Sequence, residues 1–508
     1  MRIEPEFLDS IAHKVLEEFG APGLSVALVM DGSLVSRAYG LADASTGEAL
    51  TPDAAFAVGS STKGFTALAM AILREQGALD WDDPVARFAG DLCADGGEQR
   101  QSITIRDILS HQSGFGWHDP LWYNSPWDRA AVIRKAWQAG PARPPRSRFQ
   151  YCNVMYMLAG EIVARVSGLS YESFVRTRIL QPLGLDSAHF SNEQRPGGLA
   201  QPHEVKDGSP RRIELPDVAK ANAACGLRIS APDLAVWGSQ FCRSSQQKGI
   251  PLRAFESVVA PQVAIGPLEG SRFYALFGQP DWVEYGFGWF LRRYRGHRVV
   301  FHTGRLPGAG SHIAVLPDLG FGVAALANVT FACLAEAVSL ALLERFVGGP
   351  QTDWISYYRE ISKELASAAG TPSGAAPQSD LATGSDQDSV WAGDYVDPAY
   401  GRIQVRKQRG LEFRWANYRG DLLPASGTAF RLVNLDCPLL GDGELVEFLD
   451  EGGRRLLFLG RSFESTGAVS RCCGSAVESD FTHVWSNPNP VLTQAAQLSD
   501  GCQHVTSG

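Results

Sequence analysis

Three short patterns in this 508-residue chain carry residue types that can do chemistry together: Gly59-Ser60-Ser61-Thr62-Lys63, Tyr151-Cys152-Asn153 and His302-Thr303-Gly304. Positions three apart on a helix share a face, so Lys63 stands over the first turn with its amine near the Ser60 hydroxyl. That is the spacing a serine nucleophile paired with a lysine base requires. An ordinary lysine is protonated at neutral pH, but desolvation and a helix N-terminal dipole push its pKa down, and the same dipole favours a developing oxyanion. A lone Ser-x-x-Lys is common. This one opens an otherwise small and apolar helix, Gly64-Phe65-Thr66-Ala67-Leu68-Ala69-Met70-Ala71, where an unpaired charge is costly.

Tyr151 and Asn153 sit just before an apolar helix expected from residue 154. A phenol there can relay a proton between nucleophile and leaving group, and a carboxamide can hold a substrate amide. His302-Thr303-Gly304 ends a β run, and its glycine lets a substrate approach the strand backbone closely. Taken singly, Tyr151 reads as a buried aromatic with a locally bonded hydroxyl and His302 as a structural histidine. The order of the three patterns and their structural settings are what join them into a site.

The elements that must position them are legible in the same way. Residues 24–40 read as two strands joined at Asp31-Gly32, a pair that supplies the positive φ of a tight hairpin. Residues 60–76 follow as a helix ended by Gly77. From 79 to about 192 the signals are mainly helical, with helices expected at 105–110, 130–139 and 154–166. Strands return at 285–294, 298–302, 312–316 and 321–328, and a helix follows at about 333–346. A sheet assembled from both ends of this region around a helical insertion is an α+β arrangement.

Residues 367–389, rich in Ala, Gly, Ser, Pro and Asp, read as a linker. Beyond it, YGRIQVRK, GLEFRW, AFRLV, LVEFL and RRLLFLG are short β runs between turns, as in a small antiparallel barrel or sandwich. The expected organisation is therefore a catalytic domain over 1–366, the linker, a β domain over 390–464 and a polar, loosely ordered tail over 465–508. An aromatic stretch, Trp117-His118, Leu121-Trp122-Tyr123 and Trp127, either walls an acyl pocket or plugs the helical insertion.

Composition narrows the function classes. A formal charge of −9 disfavours nucleic acid or an acidic membrane surface as partner. Residues 1–20 hold five acidic side chains and no apolar run, so no secretory signal is expected there and a cytoplasmic location is. The apolar stretch 321–335 is short of a membrane span and reads as a buried strand followed by a helix. Nine scattered cysteines, without a Cys-x-x-Cys pair or zinc-like spacing, read as reduced thiols, and neither metal nor cofactor is expected.

Together the three patterns resemble the serine β-lactamase and penicillin-binding-protein superfamily, in particular its class C-like hydrolases and D-amino-acid peptidases. PGLSVALVMDGSLV, DILSHQSG at 107–114, YMLAGEIVARVSG at 156–168, ILQPLGLDS at 179–187 and HTGRLPGAGS at 302–311 are similar to it too. The resemblance spans about residues 5–350, and the β module opening WAGDYVDPAYGRIQV looks like the lipocalin-like domain often appended to such hydrolases. It implies an antiparallel sheet flanked by helices and an acyl-enzyme on Ser60. Lys63 is then the base and Tyr151 serves the leaving group, with His302 beside them. Asn153, Thr303, Gly304 and Arg305 form the substrate side, and the backbone N–H groups of Ser60 and Arg305 form the oxyanion hole.

At 302 the β-lactamases of class C carry lysine, so peptidases, esterases and acyltransferases rank ahead of β-lactam hydrolysis. The leading expectation is hydrolysis of an amide or ester, such as a short or D-residue-containing peptide. The alternative keeps the acyl-enzyme and passes the acyl group to an amine, as a peptide cyclase or acyltransferase. A non-catalytic binding scaffold ranks behind both.

Overall fold

The computed structural model describes residues 3–94, 97–190, 198–214, 217–242, 249–266, 282–330, 333–370, 390–408, 410–433, 435, 444–450, 453–459 and 461–466. Its centre is a nine-stranded antiparallel sheet. The order is Glu48–Ala49, Ser33–Asp43, Gly23–Met30, Phe321–Ala327, Ala309–Leu316, His297–Leu306, Phe290–Tyr294, Val283–Tyr285 and Val263–Ile265. The first hairpin turns at Asp31 and Gly32, whose φ values of 48° and 80° are those of the expected tight turn. Gly23–Met30 then pairs with Phe321–Ala327, Leu24 facing Ala327. Strands from the two ends of the region 23–327 thus meet in the middle of the sheet, and the helical insertion is carried between them.

The central strands are buried on both faces. Val26 and Leu28 enter one apolar cluster, with helices Pro5–Phe19 and Leu334–Val347. Ala27 and Val29, pointing the other way as strand alternation demands, enter a second cluster that contains helices Lys63–Glu75, Asn153–Ser167 and Ala231–Ser239. Continuous apolar strands such as FGVAALA follow from this double cover.

Three expectations shift. Ser60 lies in a 3-10 turn, Gly59–Thr62, and the α-helix proper starts at Lys63. The expected strand 285–294 is two strands, because Gly288, at φ 73°, turns the chain against the start of the Lys63 helix. A Cβ on Gly288 would stand 2.5 Å from the Lys63 carbonyl oxygen. Helix Trp354–Gly370 continues past residue 366 into the segment read as linker, the rest of which lies outside the described residues.

The C-terminal module is a closed eight-stranded antiparallel barrel, Gly393–Asp397 through Arg461–Ser465, sealed by Tyr395 opposite Ser465. Its interior is filled by side chains such as Phe413, Trp415, Phe430, Phe448 and Phe458, arriving at alternate positions of each strand. The tail beyond 466 lies outside the described residues. No helix among the described residues is long and apolar enough to cross a membrane.

Candidate active site

The run of small polar residues around Ser60 is a set of staples. Ser61 and Thr62 are buried: the Thr62 hydroxyl donates to the Gly59 carbonyl (2.7 Å) and accepts from the Leu227 N–H (3.2 Å). Ser61 Oγ lies 2.9 Å from Ser311 Oγ, which donates to the Val58 carbonyl at 2.8 Å. These bonds fix a 3-10 turn in which positions i and i+3 eclipse, so Lys63 projects directly over Ser60.

Lys63 is buried, and its Nζ is 2.7 Å from Asn153 Oδ1, 3.0 Å from Ser60 Oγ and 3.0 Å from the Ala224 carbonyl. Two of these partners can only accept. As an ammonium the group donates to all three. As a neutral amine it keeps its two protons on Asn153 and Ala224, and its lone pair is left facing the Ser60 hydroxyl. Burial pulls its pKa from 10.5 to about 8. Both the geometry and the ionisation suit a base.

Tyr151 hydrogen-bonds Ser60, its ring lies 4.7 Å from Lys63 Nζ, and burial drives its pKa well up, so the phenol is neutral. Asn153, the first residue of its helix, reaches Lys63 on one side and donates Nδ2–H to Asp119 Oδ2 at 2.8 Å on the other.

Strand His297–Leu306 presents alternate residues to opposite faces. Gly304 faces the turn Gly59–Thr62: a Cβ there would stand 1.9 Å from the Val58 carbonyl oxygen and 2.8 Å from Ser60 N, while one on Gly59 would stand 2.7 Å from Arg305 N. Backbones 59–60 and 304–305 therefore run against each other. The side chains of Thr303 and Arg305 point the other way. Both meet Glu336 of helix Leu334–Val347, Thr303 Oγ1 at 2.5 Å and Arg305 as a partly buried ion pair. Only their backbone is on the Ser60 side.

His302 is buried and does not hydrogen-bond Ser60 or Lys63. Its Nδ1–H donates to the Thr303 carbonyl (2.6 Å), which leaves Nε2 to accept from the Tyr285 hydroxyl (3.3 Å). Burial lowers its pKa to about 3, so no cation stands where class C enzymes were expected to place lysine.

Two participants escaped the sequence reading. His111, within DILSHQSG, packs against the Tyr151 ring with centroids 4.2 Å apart and planes tilted by 34°, and accepts the Cys152 N–H at Nδ1. Asp119, buried inside the aromatic stretch, accepts from Asn153 and from Trp122 Nε1 (2.8 Å). The stretch itself is where the barrel docks. Trp127 packs on Trp415 with ring centroids 6.0 Å apart, and the Tyr418 hydroxyl donates to the carbonyls of Pro120 (3.1 Å) and Tyr123.

The profile of the family described as Beta-lactamase matches residues 8–338. The chain is 26% identical over 445 residues to the unguisins hydrolase of Aspergillus campestris, covering 82% of this chain and 80% of that protein. The octameric penicillin-binding protein homologue from Pyrococcus abyssi superposes with a TM-score of 0.61 at 22% identity, over 91% of this chain and 99% of that one. A D-stereospecific amidohydrolase from Streptomyces sp. gives 0.54 at 22% identity, over 65% and 97%. The structural likenesses establish a shared fold.

Proposed function

The chain belongs to the β-lactamase family of serine hydrolases, and from that premise we propose that it cleaves an amide bond in a short, D-residue-containing peptide through an acyl-enzyme on Ser60. The observation that carries this reading is the Lys63 amine, whose two carbonyl partners leave its lone pair aimed at the Ser60 hydroxyl. Neutral Lys63 takes the hydroxyl proton as Ser60 Oγ attacks the carbonyl carbon. The oxyanion is held by the N–H groups of Ser60 and Arg305, where the two backbones meet. As the C–N bond breaks, the neutral phenol of Tyr151 passes a proton to the departing amine. The Lys63 ammonium returns its proton to the Tyr151 phenolate. Water then gives a proton to neutral Lys63 as it attacks the ester, and Lys63 passes that proton to Ser60 Oγ as it leaves, releasing the acid and restoring Ser60.

Three considerations support the substrate class. The names of two relatives describe hydrolysis of unguisins and D-stereospecific amide hydrolysis. The site has no cation at His302 to hold a carboxylate, which suits an internal or capped peptide better than a free acid. A neutral acid, Tyr151, matters most when the leaving group is a poorly leaving amine.

A fluorophosphonate probe, with peptide mapping by mass spectrometry, tests the nucleophile. Labelling is expected at Ser60 and absent in Ser60→Ala. Incubation with paired L- and D-residue peptide amides and thioesters tests the rest: linear acids from the D series are expected. Cyclised or amine-coupled products would replace the hydrolase with an acyltransferase, and equal labelling of wild type and Ser60→Ala would remove both.

A further inference from the structure

Lys63 is surrounded by titratable groups from five elements: Cys152, Tyr151 and Tyr156 at and before helix Asn153–Ser167, Cys225 from Asn222–Cys225, His302 from its strand, His111, and Asp119. All but one are held neutral. Burial pushes both thiols up to about 12, raises both phenols, and lowers both imidazoles, His302 to about 3. Asp119 differs in its partners. Its oxygens receive N–H groups from Asn153, Trp122 and Trp117, and all three are donors, so the ionised carboxylate is the form that fits although burial raises its pKa. Among the described residues it is the anion of this site.

The Asp119 contact also settles the Asn153 amide. With Nδ2–H on the carboxylate, Oδ1 must face the Lys63 amine, as observed. The reverse orientation would set amide oxygen against carboxylate and amide N–H against ammonium. Asp119 is gripped in turn from the barrel through the residues on either side of it. Tyr400 Oη lies 2.7 Å from His118 Nδ1, and the single Tyr418 hydroxyl proton is shared between the nearer Tyr123 carbonyl and the Pro120 carbonyl at 3.1 Å. His118, Pro120, Tyr400 and Tyr418 are all buried at this junction.

We propose that Asp119 is a positioning residue of the Ser60–Lys63 site, orienting the Asn153 amide and balancing the lysine charge, and that the C-terminal barrel holds it there through Tyr400 and Tyr418. The inference rests on the reading of Ser60 and Lys63 as nucleophile and base. It gives the barrel a part in catalysis that requires no contact with substrate: the segment it clamps carries the residue that sets the Asn153–Lys63 pair.

The test is the pH dependence of fluorophosphonate labelling of Ser60 in the full-length protein. Wild type is expected to show labelling that rises with pH as Lys63 loses its proton. In Asp119→Asn the rising limb is expected to move down by about one pH unit, because a nearby anion no longer favours the ammonium. The maximal rate is expected to fall at least tenfold, because the amide is no longer held. A side chain that merely fills space would lower the rate without moving the limb. If Asp119→Asn does not fold, Tyr418→Phe, which removes one hydroxyl at the clamp, is expected to move the limb in the same direction by less and to slow labelling. A wild-type limb with an unchanged limb and rate in the variant overturns this inference alone. Absence of Ser60 labelling in wild type overturns the nucleophile reading and this inference with it.

Discussion

Replacing Lys63 by methionine, similar in length but uncharged, separates the lysine's ionisation from its hydrogen bonds. Burial lowers the Lys63 pKa from 10.5 to about 8, a fall that corresponds to about 3 kcal/mol. Below pH 8 the folded protein carries this penalty in full, since an ammonium is held in a desolvated site. Between pH 8 and 10.5 the unfolded chain keeps a proton that the folded protein has lost, so stability climbs with pH, and above 10.5 the penalty is gone. Methionine leaves Asn153 Oδ1 and the Ala224 carbonyl without this donor, at about 1–3 kcal/mol each, but that offset does not depend on pH. The stability difference, wild type minus Lys63→Met, is therefore expected to rise by about 3 kcal/mol from pH 7 to pH 11. Urea midpoints with matched m-values, measured under reductant at several pH values, read it directly. Tyrosines and cysteines titrate in the same window in both proteins and cancel. A difference independent of pH would show that Lys63 is not the depressed, buried amine described, and the base assignment would fall with it.

Tyr151→Phe is expected to slow hydrolysis of peptide amides by about 10²- to 10³-fold and of p-nitrophenyl esters far less, because only the amine needs a proton to leave. Equal losses in steady-state kcat/KM on both substrates would remove Tyr151 as the acid. Gly304→Ala is expected to abolish acylation and destabilise by about 1–3 kcal/mol, since its Cβ would stand 1.9 Å from the Val58 carbonyl oxygen and drive the strand from the nucleophile turn. A variant that keeps its urea midpoint and its labelling rate would refute the close approach of the two backbones.

What the sequence disclosed was whatever local spacing encodes. Ser60 and Lys63 are one turn apart, Tyr151 and Asn153 flank one helix start, and Asp31-Gly32 marks its own hairpin. The hairpin at residues 286–289 was hidden because its arms form one aromatic run, and its turn is dictated by packing against Lys63, far off in sequence. In the barrel, Gly393–Asp397, Tyr418–Ser426 and Arg461–Ser465 are too polar or too short to register alone and become strands by pairing around the circle. Asp119 was missed for a like reason. Its tryptophan neighbours dominate the local pattern, and its partner Asn153 is 34 residues away. Thr303 looked like its neighbours until the strand's alternation turned its hydroxyl to Glu336.

One physical cause runs through the site. Burial that lowers the Lys63 pKa to about 8 also neutralises the histidines, the thiols and the phenols around it, so a dry pocket rich in titratable groups behaves as though it held few charges. Such a pocket tolerates an ammonium only where carbonyl oxygens and one anion stand ready for it, and those come from segments that do not share an element: Asn153, Ala224 and Asp119. The proposed catalytic pair is local and could be carried by any helix. Its environment is assembled from segments far apart in the chain, one of them packed against the barrel, so the proposed activity is expected to depend on the whole fold rather than on the Ser-x-x-Lys turn alone.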